Sequence, residues 1–253
     1  MNDRQDVVIR VRNLIKKFGS FAANKNLNFD VNRGEIFGFL GANGAGKTTA
    51  IKILCGLLKP TSGDISVAGY DVYKETEKIK ENIGYMSQRF SLYNNLTVKE
   101  NIQFYAGIYG MSRTDIKKQT HELLEKLNLL HASDKLIASL PLGWKQKLAF
   151  SIAIIHKPAI VFLDEPTGGV DPITRRQFWE LIYEAANNGI TVFVTTHYMD
   201  EAEYCDRLSI MVDGEIKEIG EPLSLIKKYN AKNMDEVFVK LARSENEATI
   251  KKS

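Results

Sequence analysis

The alternation of apolar and polar residues changes along the chain, and each pattern predicts a different element. Residues 7–11 and 27–31 alternate apolar with polar side chains, which predicts two half-exposed antiparallel strands separated by a turn-like segment at 17–26. A short apolar run at 36–40 then leads into a glycine-rich loop, and apolar residues at helical spacing predict a helix over 48–58. The order is strand, glycine loop, helix.

A helical stretch interrupts the strands in the middle of the chain. Residues 63–68 and 83–86 have the composition of short strands, but from residue 98 to about 155 apolar residues recur at helical spacing. Residues 159–163 then form a continuous apolar run, which is typical of a parallel strand buried on both faces. This pattern predicts a helical lobe inserted into an α/β core.

The C-terminal half returns to alternating helix and strand. A crossover helix is predicted at 175–187 and a strand at 190–195. Two short helices are predicted at 223–229 and 234–241, followed by a frayed tail over 244–253. The sequence contains no internal repeat, so tandem copies of one domain within it are excluded.

Composition indicates a folded protein and gives little reason to expect nucleic acid as a partner. The chain has 253 residues, of which 44% are hydrophobic and 26% charged, as in ordinary globular proteins. Its formal net charge is +3, and the charges are scattered along the chain. Cys55 and Cys205 lie far apart in the sequence, so we expect reduced structural thiols rather than a disulfide or a metal site.

The sequence has no evident signal peptide or membrane span. Residues 1–12 are polar and charged, unlike a secretory signal. A span needs about 20 mainly apolar residues, and the best candidate, residues 148–163, is interrupted by His156, Lys157 and Pro158. We therefore expect a cytoplasmic protein that reaches a membrane only through other proteins.

The glycine-rich loop carries the clearest chemical signal. Residues 41–48 match G-x-x-x-x-G-K-[ST], in which glycines let backbone N–H groups face phosphate oxygens. Lys47 is expected to reach the terminal phosphates of ATP, and the Thr48 hydroxyl to bind Mg²⁺. The alternative, a chance glycine-rich turn, is disfavoured by the flanking strand and helix. The loop residues predicted to bind nucleotide are Gly41, Asn43, Gly44, Ala45, Gly46, Lys47, Thr48 and Thr49.

Two carboxylates follow the continuous apolar run. Because open α/β sheets bind ligands at the carboxyl ends of their strands, Asp164 is expected to bind Mg²⁺, directly or through water. Glu165 is expected to act as the general base that polarises the attacking water. The alternative is a solvated acidic pair. Together with the loop, these residues predict ATP hydrolysis.

The loop, the apolar strand and Asp164-Glu165-Pro166-Thr167 together resemble the ATP-binding-cassette (ABC) ATPases. The resemblance implies an α/β fold with a P-loop NTPase core, in which a RecA-like parallel sheet is joined by an antiparallel β subdomain and an inserted helical subdomain. It places the ABC ATPase domain at 5–229, with the helical subdomain at about 89–157. A C-terminal helical extension and tail would occupy 230–253.

The resemblance also implies roles for four isolated residues. Phe18 lies where the family has an aromatic that stacks on adenine, and Gln88 where its glutamine loop approaches Mg²⁺ and water. Asp171 matches an aspartate at a dimer contact, and His197 a histidine that contacts the γ-phosphate or orients Glu165. The alternatives are a core aromatic for Phe18, a plain surface glutamine, a turn aspartate and a structural histidine.

One segment departs from the family pattern. The usual Leu-Ser-Gly-Gly-Gln is replaced by Leu140-Pro141-Leu142-Gly143-Trp144. Pro141 removes a hydroxyl and a backbone N–H, and Leu142 adds a side chain where glycine would allow close approach. Gly143 and the start of the following helix remain suited to an anion. We expect backbone groups near Gly143 and Trp144 to contact the nucleotide of the opposite protomer.

The resemblance further implies a transporter ATPase with a separate membrane subunit. Residues 94–101 resemble the segment that opens the helical lobe in such ATPases, beside a groove for a helix of the membrane partner. Residues 233–238 resemble a tail common in export-type members. The residues expected to line the groove, which at this spacing are also compatible with an ordinary core, are Tyr93, Leu96, Phe104 and Tyr105.

The leading interpretation is the ATP-hydrolysing subunit of an ABC exporter. Its expected partners are a transmembrane permease and a second ATPase subunit, in a homodimer or heterodimer at the inner face of the cell membrane, without nucleic acid. One alternative is a soluble ABC ATPase acting on ribosomes, DNA or cofactor assembly. Another is a P-loop kinase or GTPase, which Glu165, His197 and the lack of a guanine motif disfavour.

Overall fold

The computed structural model describes residues 6–88 and 92–250, with the backbone alone for 243–250. The predicted boundaries at residues 5, 89 and 253 lie outside the described residues. The strands are β1 (Val7–Phe18), β2 (Phe21–Asn32), β3 (Ile36–Gly41), β4 (Ser62–Val67), β5 (Tyr70–Asp71), β6 (Ile83–Met86), β7 (Ile160–Asp164), β8 (Thr191–Thr196), β9 (Arg207–Val212) and β10 (Glu215–Gly220). The helices are α1 (Lys47–Leu54), α2 (Thr76–Asn82), α3 (Val98–Ile108), α4 (Arg113–Lys126), α5 (Leu142–Ala153), α6 (Pro172–Asn187), α7 (Pro222–Lys228) and α8 (Met234–Ile250). Three 3₁₀ segments occupy Leu130–Ala132, Ile137–Ser139 and Met199–Tyr204.

Two sheets form the core. The larger has the order β10-β9-β3-β8-β7-β6, and all neighbours in it are parallel except β10 and β9. The smaller is antiparallel, with the order β2-β1-β4-β5. Because β3, β8 and β7 are adjacent and parallel, the segments that follow them meet at one edge of the larger sheet.

Side chains of the central strands alternate between two cores. In β7, Val161 and Leu163 pack with α5 and α6 on one face, whereas Ile160 and Phe162 face α1 and the antiparallel sheet. Successive strand residues point to opposite faces, and here both faces are covered. This double burial explains why the run at 159–163 is continuously apolar.

The helical lobe lies between β6 and β7 in the chain and contains α3, α4 and α5. Thr97 caps α3 in a capping box with Glu100, and Ser112 accepts a hydrogen bond from the backbone N–H of Asp115 at the start of α4. Ile102 and Leu124 pack into the same core as the sheet face formed by β7 and β8. The lobe is therefore continuous with the core beside β7.

Several element boundaries differ from the sequence prediction. The predicted turn at 17–26 is wrong, because β1 and β2 extend through it and leave only Gly19 and Ser20 as the turn. Register shifts in the β1–β2 ladder interrupt the alternation on which the prediction relied. The helix predicted at 48–58 ends at Leu54.

The C-terminal region also has more structure than the sequence pattern indicated. β9 and β10, which form one side of the parallel sheet, were not predicted. The helix predicted at 234–241 continues to Ile250, so the expectation of a frayed tail from residue 244 is wrong up to that point. Residues 251–253 lie outside the described residues. No helix in the described part of the chain is long and apolar enough to cross a membrane.

Candidate nucleotide-binding and hydrolysis site

The phosphate loop, residues 41–48, connects the end of β3 to the start of α1. Gly46 has φ 102° and caps α1 without a side-chain hydrogen bond. A Cβ at this position would lie 2.2 Å from the carbonyl oxygen of Ala23. The Asn24 side chain, on the same strand, donates a hydrogen bond to the Gly46 carbonyl (3.1 Å). Contact with β2 therefore shapes the loop, and only glycine fits at Gly46.

Lys47 is held under the loop. Its Nζ donates hydrogen bonds to the carbonyl oxygens of Gly41 (2.7 Å) and Ala42 (3.1 Å) and lies 3.2 Å from Glu165 Oε1. The side chain is only 4% exposed. The ammonium group thus sits between the loop backbone and the predicted general base.

Asp164 ends β7 and accepts two hydroxyl hydrogen bonds on Oδ1, from Thr195 (2.8 Å) and Thr48 (3.2 Å). Burial raises the pKa of Asp164, and the two hydroxyl hydrogen bonds oppose this shift. Its second oxygen, Oδ2, is buried without a hydrogen-bond partner among the described residues. A carboxylate with one free oxygen beside a threonine hydroxyl fits Mg²⁺, which prefers oxygen ligands.

Glu165 is the residue on which the site converges. Its Oε1 faces Lys47, while Oε2 accepts a hydrogen bond from Gln88 Nε2 (3.0 Å) and lies 3.2 Å from His197 Nδ1. Its backbone has φ 50°, a left-handed conformation held by hydrogen bonds from its N–H to the Oγ1 (3.0 Å) and carbonyl oxygen (3.2 Å) of Thr195. Strain of this kind is concentrated at functional sites.

A cleft of about 290 Å³ opens over the loop. Phe18 and Phe21 lie at its rim, at the two ends of the β1–β2 turn, and are 50% and 63% exposed. This exposure rules out the alternative that Phe18 is a core aromatic. Gly41 and Ala45, both predicted to bind nucleotide, are instead buried and do not line the cleft. The predicted residues that do line it are Phe18, Asn43, Gly44, Gly46, Lys47, Thr48, Thr49, Gln88 and Glu165.

Gly143, Trp144 and Asp171 do not line this cleft. They line a separate surface cavity of about 300 Å³ between α5 and the start of α6. Asp171 caps α6, because its Oδ1 accepts hydrogen bonds from the backbone N–H groups of Ile173 and Thr174, both at 3.0 Å. The chain therefore carries two distinct surfaces, one with the phosphate loop and one with the divergent segment.

A larger cavity of about 570 Å³ lies between α5 and α6, with Lys126, Phe150 and Glu184 among its lining residues. It contains none of the residues predicted to act on ATP. The candidate nucleotide site is therefore not the cavity with the greater volume. It is identified by the polar side chains that surround Glu165.

The divergent segment is held closely against α6. Pro141 caps α5 without a side-chain hydrogen bond, as its lack of a hydroxyl requires. A Cβ on Gly143 would lie 2.4 Å from Thr174 Cγ2. Gly143 is thus required by packing within the chain, in addition to any contact with nucleotide.

This contact changes how the predicted role of Gly143 must be tested. We expect Gly143→Asp combined with Thr174→Ser to lower ATPase turnover about tenfold or more, because a carboxylate would repel the γ-phosphate at close range. The matched control, Gly143→Ala with Thr174→Ser, also relieves the clash but adds no charge, and should stay near the wild-type rate. Steady-state ATPase assays distinguish the two; equal rates would remove Gly143 from the nucleotide contact.

Three residues at the site were missed by sequence reasoning. Phe21 pairs with Phe18 across the turn, and the two aromatics flanking Gly19-Ser20 were the available signal. Asn24 donates a partly buried hydrogen bond to the loop, and Thr195 donates a buried one to Asp164. No pattern in the sequence singles them out, because their partners lie on distant strands.

Comparison with known proteins identifies the family of the chain. The family model described as ABC transporter matches residues 24–168. The chain is similar to the probable multidrug ABC transporter ATP-binding protein YbhF of Escherichia coli (strain K12), with 46% identity, 93% of this chain and 42% of that protein covered. It is also similar to the linearmycin resistance ATP-binding protein LnrL of Bacillus subtilis (strain 168), with 36% identity, 92% of this chain and 75% of that protein covered.

A solved structure shares the fold. It is described as the dimeric, post-hydrolysis state of the ATP-binding cassette MJ0796 bound to ADP and Pi, and it aligns with a TM-score of 0.76 at 28% identity, covering 84% of this chain and 98% of that one. The predicted fold class, an α/β P-loop core with an antiparallel sheet and inserted helices, is confirmed.

The chain belongs to the ABC transporter family, as the resemblance indicated, because the family model covers more than half of it. It carries the ATP-binding and ATP-hydrolysing domain of that family. The chain spans 42% of the length of YbhF, so it corresponds to only part of that relative.

Proposed function

We propose that this chain uses ATP hydrolysis to drive export of a substrate through a membrane partner. The observation that carries the hydrolytic part is the convergence of Lys47, Gln88 and His197 on the Glu165 carboxylate at 3.0–3.2 Å. These residues come from separate segments of the chain. Their meeting at one carboxylate beside a phosphate loop is what activation of a water molecule requires.

In the proposed reaction, Glu165 accepts a proton from the attacking water. The water oxygen bonds to the γ-phosphorus as the bond from that phosphorus to the bridging oxygen breaks, which releases ADP and phosphate. Its 9% exposed side chain is largely shielded from solvent, and His197 and Gln88 orient the Oε2 oxygen. Lys47 binds the terminal phosphates. Thr48 and Asp164 would hold Mg²⁺, with Gln88 nearby, and the ion would neutralise phosphate charge during transfer.

The adenine would lie against the exposed rings of Phe18 and Phe21. Aromatic stacking on a base is tolerant of base identity. The preference for ATP therefore rests on family membership rather than on a base-specific contact.

The second surface supports a dimer, which we propose as either two copies or two related subunits. Gly143, Trp144 and Asp171 lie together on the surface cavity apart from the phosphate loop. An ATPase that closes in pairs would place this surface over the nucleotide of its partner. MJ0796, which shares the fold, is described as a dimer.

We propose an ABC ATPase domain at 5–229, with a helical subdomain at about 89–157 and a C-terminal extension at 230–253.

The helical subdomain exposes an aromatic cluster in which the rings of Tyr93 and Phe104 lie 5.0 Å apart and are 46% and 41% exposed. Such a cluster fits a helix of a transmembrane permease. The chain would then be peripheral on the inner face of the membrane, without nucleic acid. YbhF and LnrL are named for multidrug transport and linearmycin resistance, which favours outward transport.

Export predicts a physical complex that depends on this cluster. We expect the chain to co-purify from detergent-extracted membranes with a polytopic membrane protein, and Phe104→Glu to reduce recovery about tenfold, since a buried charge is costly at an interface. Leu223→Glu, at another exposed apolar residue, is the matched control and should not. Recovery of a soluble ribosomal, DNA-bound or cofactor-assembly complex instead would favour the alternative, a soluble ABC ATPase.

A further inference from the structure

A buried glutamate outside the catalytic cluster lies in the 3₁₀ segment that follows His197. The Glu201 side chain is fully buried, and its Oε1 accepts a hydrogen bond from Thr167 Oγ1 (2.5 Å). Burial raises the pKa of Glu201, and the hydroxyl of Thr167 and the charge of Arg175 oppose this shift. Since Thr167 is two residues after Glu165, Glu201 ties the two loops of the catalytic site together below their functional side chains.

Arg175 contacts the same segment from α6. Its Nη1 donates to Asp200 Oδ2 (3.1 Å), its Nε lies 3.6 Å from Glu201 Oε1, and its guanidinium lies over the Tyr198 ring at 4.2 Å. The Arg175 side chain is only 18% exposed. A planar guanidinium can stack on a ring and pair with carboxylates at once, which an ammonium group cannot do. Arg175 therefore contacts three of the four residues from 198 to 201, namely Tyr198, Asp200 and Glu201.

The segment that Arg175 contacts directly follows His197. The rings of His197 and Tyr198 lie 4.2 Å apart, and Tyr198 is the residue that Arg175 covers. We define residues 197–201 as the switch segment. Its position determines whether His197 Nδ1 stays within 3.2 Å of Glu165 Oε2.

The backbone of Arg175 is linked to the second surface, the cavity lined by Gly143, Trp144 and Asp171. The backbone N–H of Arg175 donates to the Asp171 carbonyl oxygen (3.0 Å), one turn earlier on α6, and Asp171 lines the cavity beside Gly143. A shift of the start of α6 would carry Arg175 with it, because this backbone hydrogen bond closes the first turn of the helix.

We propose that Arg175 is a positioning residue that joins the Asp171 end of α6 to the switch segment and holds His197 against Glu165. The proposal rests on the proposed hydrolytic function. If a second protomer closes on the Asp171 surface and shifts the start of α6, Arg175 would transmit that shift to His197. Arg175 itself touches no reacting atom.

The test compares Arg175→Gln with Arg176→Gln in the full chain. Both remove one positive charge from neighbouring positions on α6, but Arg176 is exposed. We expect Arg175→Gln to lower kcat about tenfold at saturating MgATP, because misplacing a catalytic group by about 1 Å can cost about 10²-fold and the loss of Arg175 removes only part of what holds His197. The KM of both variants should stay within about twofold of the wild-type value, because neither residue lines the nucleotide cleft. The kcat of Arg176→Gln should also stay within about twofold of wild type.

A direct readout separates positioning from general destabilisation. The chain has four histidines, so their side-chain NMR signals can be assigned by substitution. Arg175→Gln should shift the His197 signal and leave those of His121, His131 and His156 in place. Arg175→Lys, which keeps the charge but loses the planar group, should restore part of kcat and is the fallback variant if Arg175→Gln does not fold.

The outcomes are distinct. An unmoved His197 signal, or a kcat within about twofold of wild type in both Arg175 variants, would overturn the positioning role. Absence of ATP hydrolysis by the wild-type chain in the presence of its partner would instead overturn the proposed function.

Discussion

The Glu165→Gln variant is expected to bind ATP at least as tightly as the wild-type chain and to lose about 10²- to 10⁴-fold in kcat, the range that a general base contributes. The amide cannot accept a proton from the attacking water. It keeps the shape of the side chain, and Gln88 can still donate to its oxygen. Loss of the carboxylate also frees Lys47, which now lies 3.2 Å from Glu165 Oε1, to pair with phosphate.

ATP binding, measured by fluorescent nucleotide titration, and phosphate release separate these two effects. Glu180→Gln, at an exposed position on α6, is a matched control and should hydrolyse ATP normally. Turnover by Glu165→Gln within about tenfold of wild type would assign proton transfer to another group. Loss of ATP binding would show that Glu165 is needed to shape the loop.

The positions of the candidate hydrolytic residues could be predicted because hydrophobic pattern and chemistry coincide there. Asp164 and Glu165 follow a run that is apolar on both faces, and that pattern alone places them at the end of a buried strand. The sequence order does not reveal that β8 lies between β3 and β7. The apolar strand before His197 indicates that this residue follows a strand of the same sheet, but the strand order that brings it to Glu165 is visible only in the structure.

The supporting contacts could not be predicted, because they join residues far apart in the chain. Thr195 on β8 donates a hydrogen bond to Asp164 on the adjacent β7, and Thr167 donates one to the buried Glu201. In a linear sequence these are ordinary polar residues in ordinary segments. The close contact of Gly143 with Thr174 depends in the same way on how α5 lies against α6.

The phosphate loop itself is expected to fail when a single methyl group is added at Gly46. In Gly46→Ala, the Cβ would lie 2.2 Å from the Ala23 carbonyl oxygen, which is backbone and cannot rotate away, and 2.8 Å from Asn24 Nδ2. The φ of 102° adds strain for any residue with a Cβ. Left-handed strain costs about 1–2 kcal/mol and overpacking about 1–3 kcal/mol.

Gly69→Ala provides the matched control, because Gly69 also has a positive φ, 83°, its Cβ would meet nothing within 4 Å, and it does not line the nucleotide cleft. Gly69→Ala should therefore show only the strain cost, while Gly46→Ala should lower Tm by roughly 5–15 °C and weaken ATP binding about 100-fold or more, because the loop amides and Lys47 would no longer converge on one phosphate. Thermal unfolding and nucleotide titration measure both effects. If the two variants behaved alike, the backbone strain that both substitutions introduce would explain the losses in Tm and ATP binding. The contact of Gly46 with β2 would then have no part in shaping the loop.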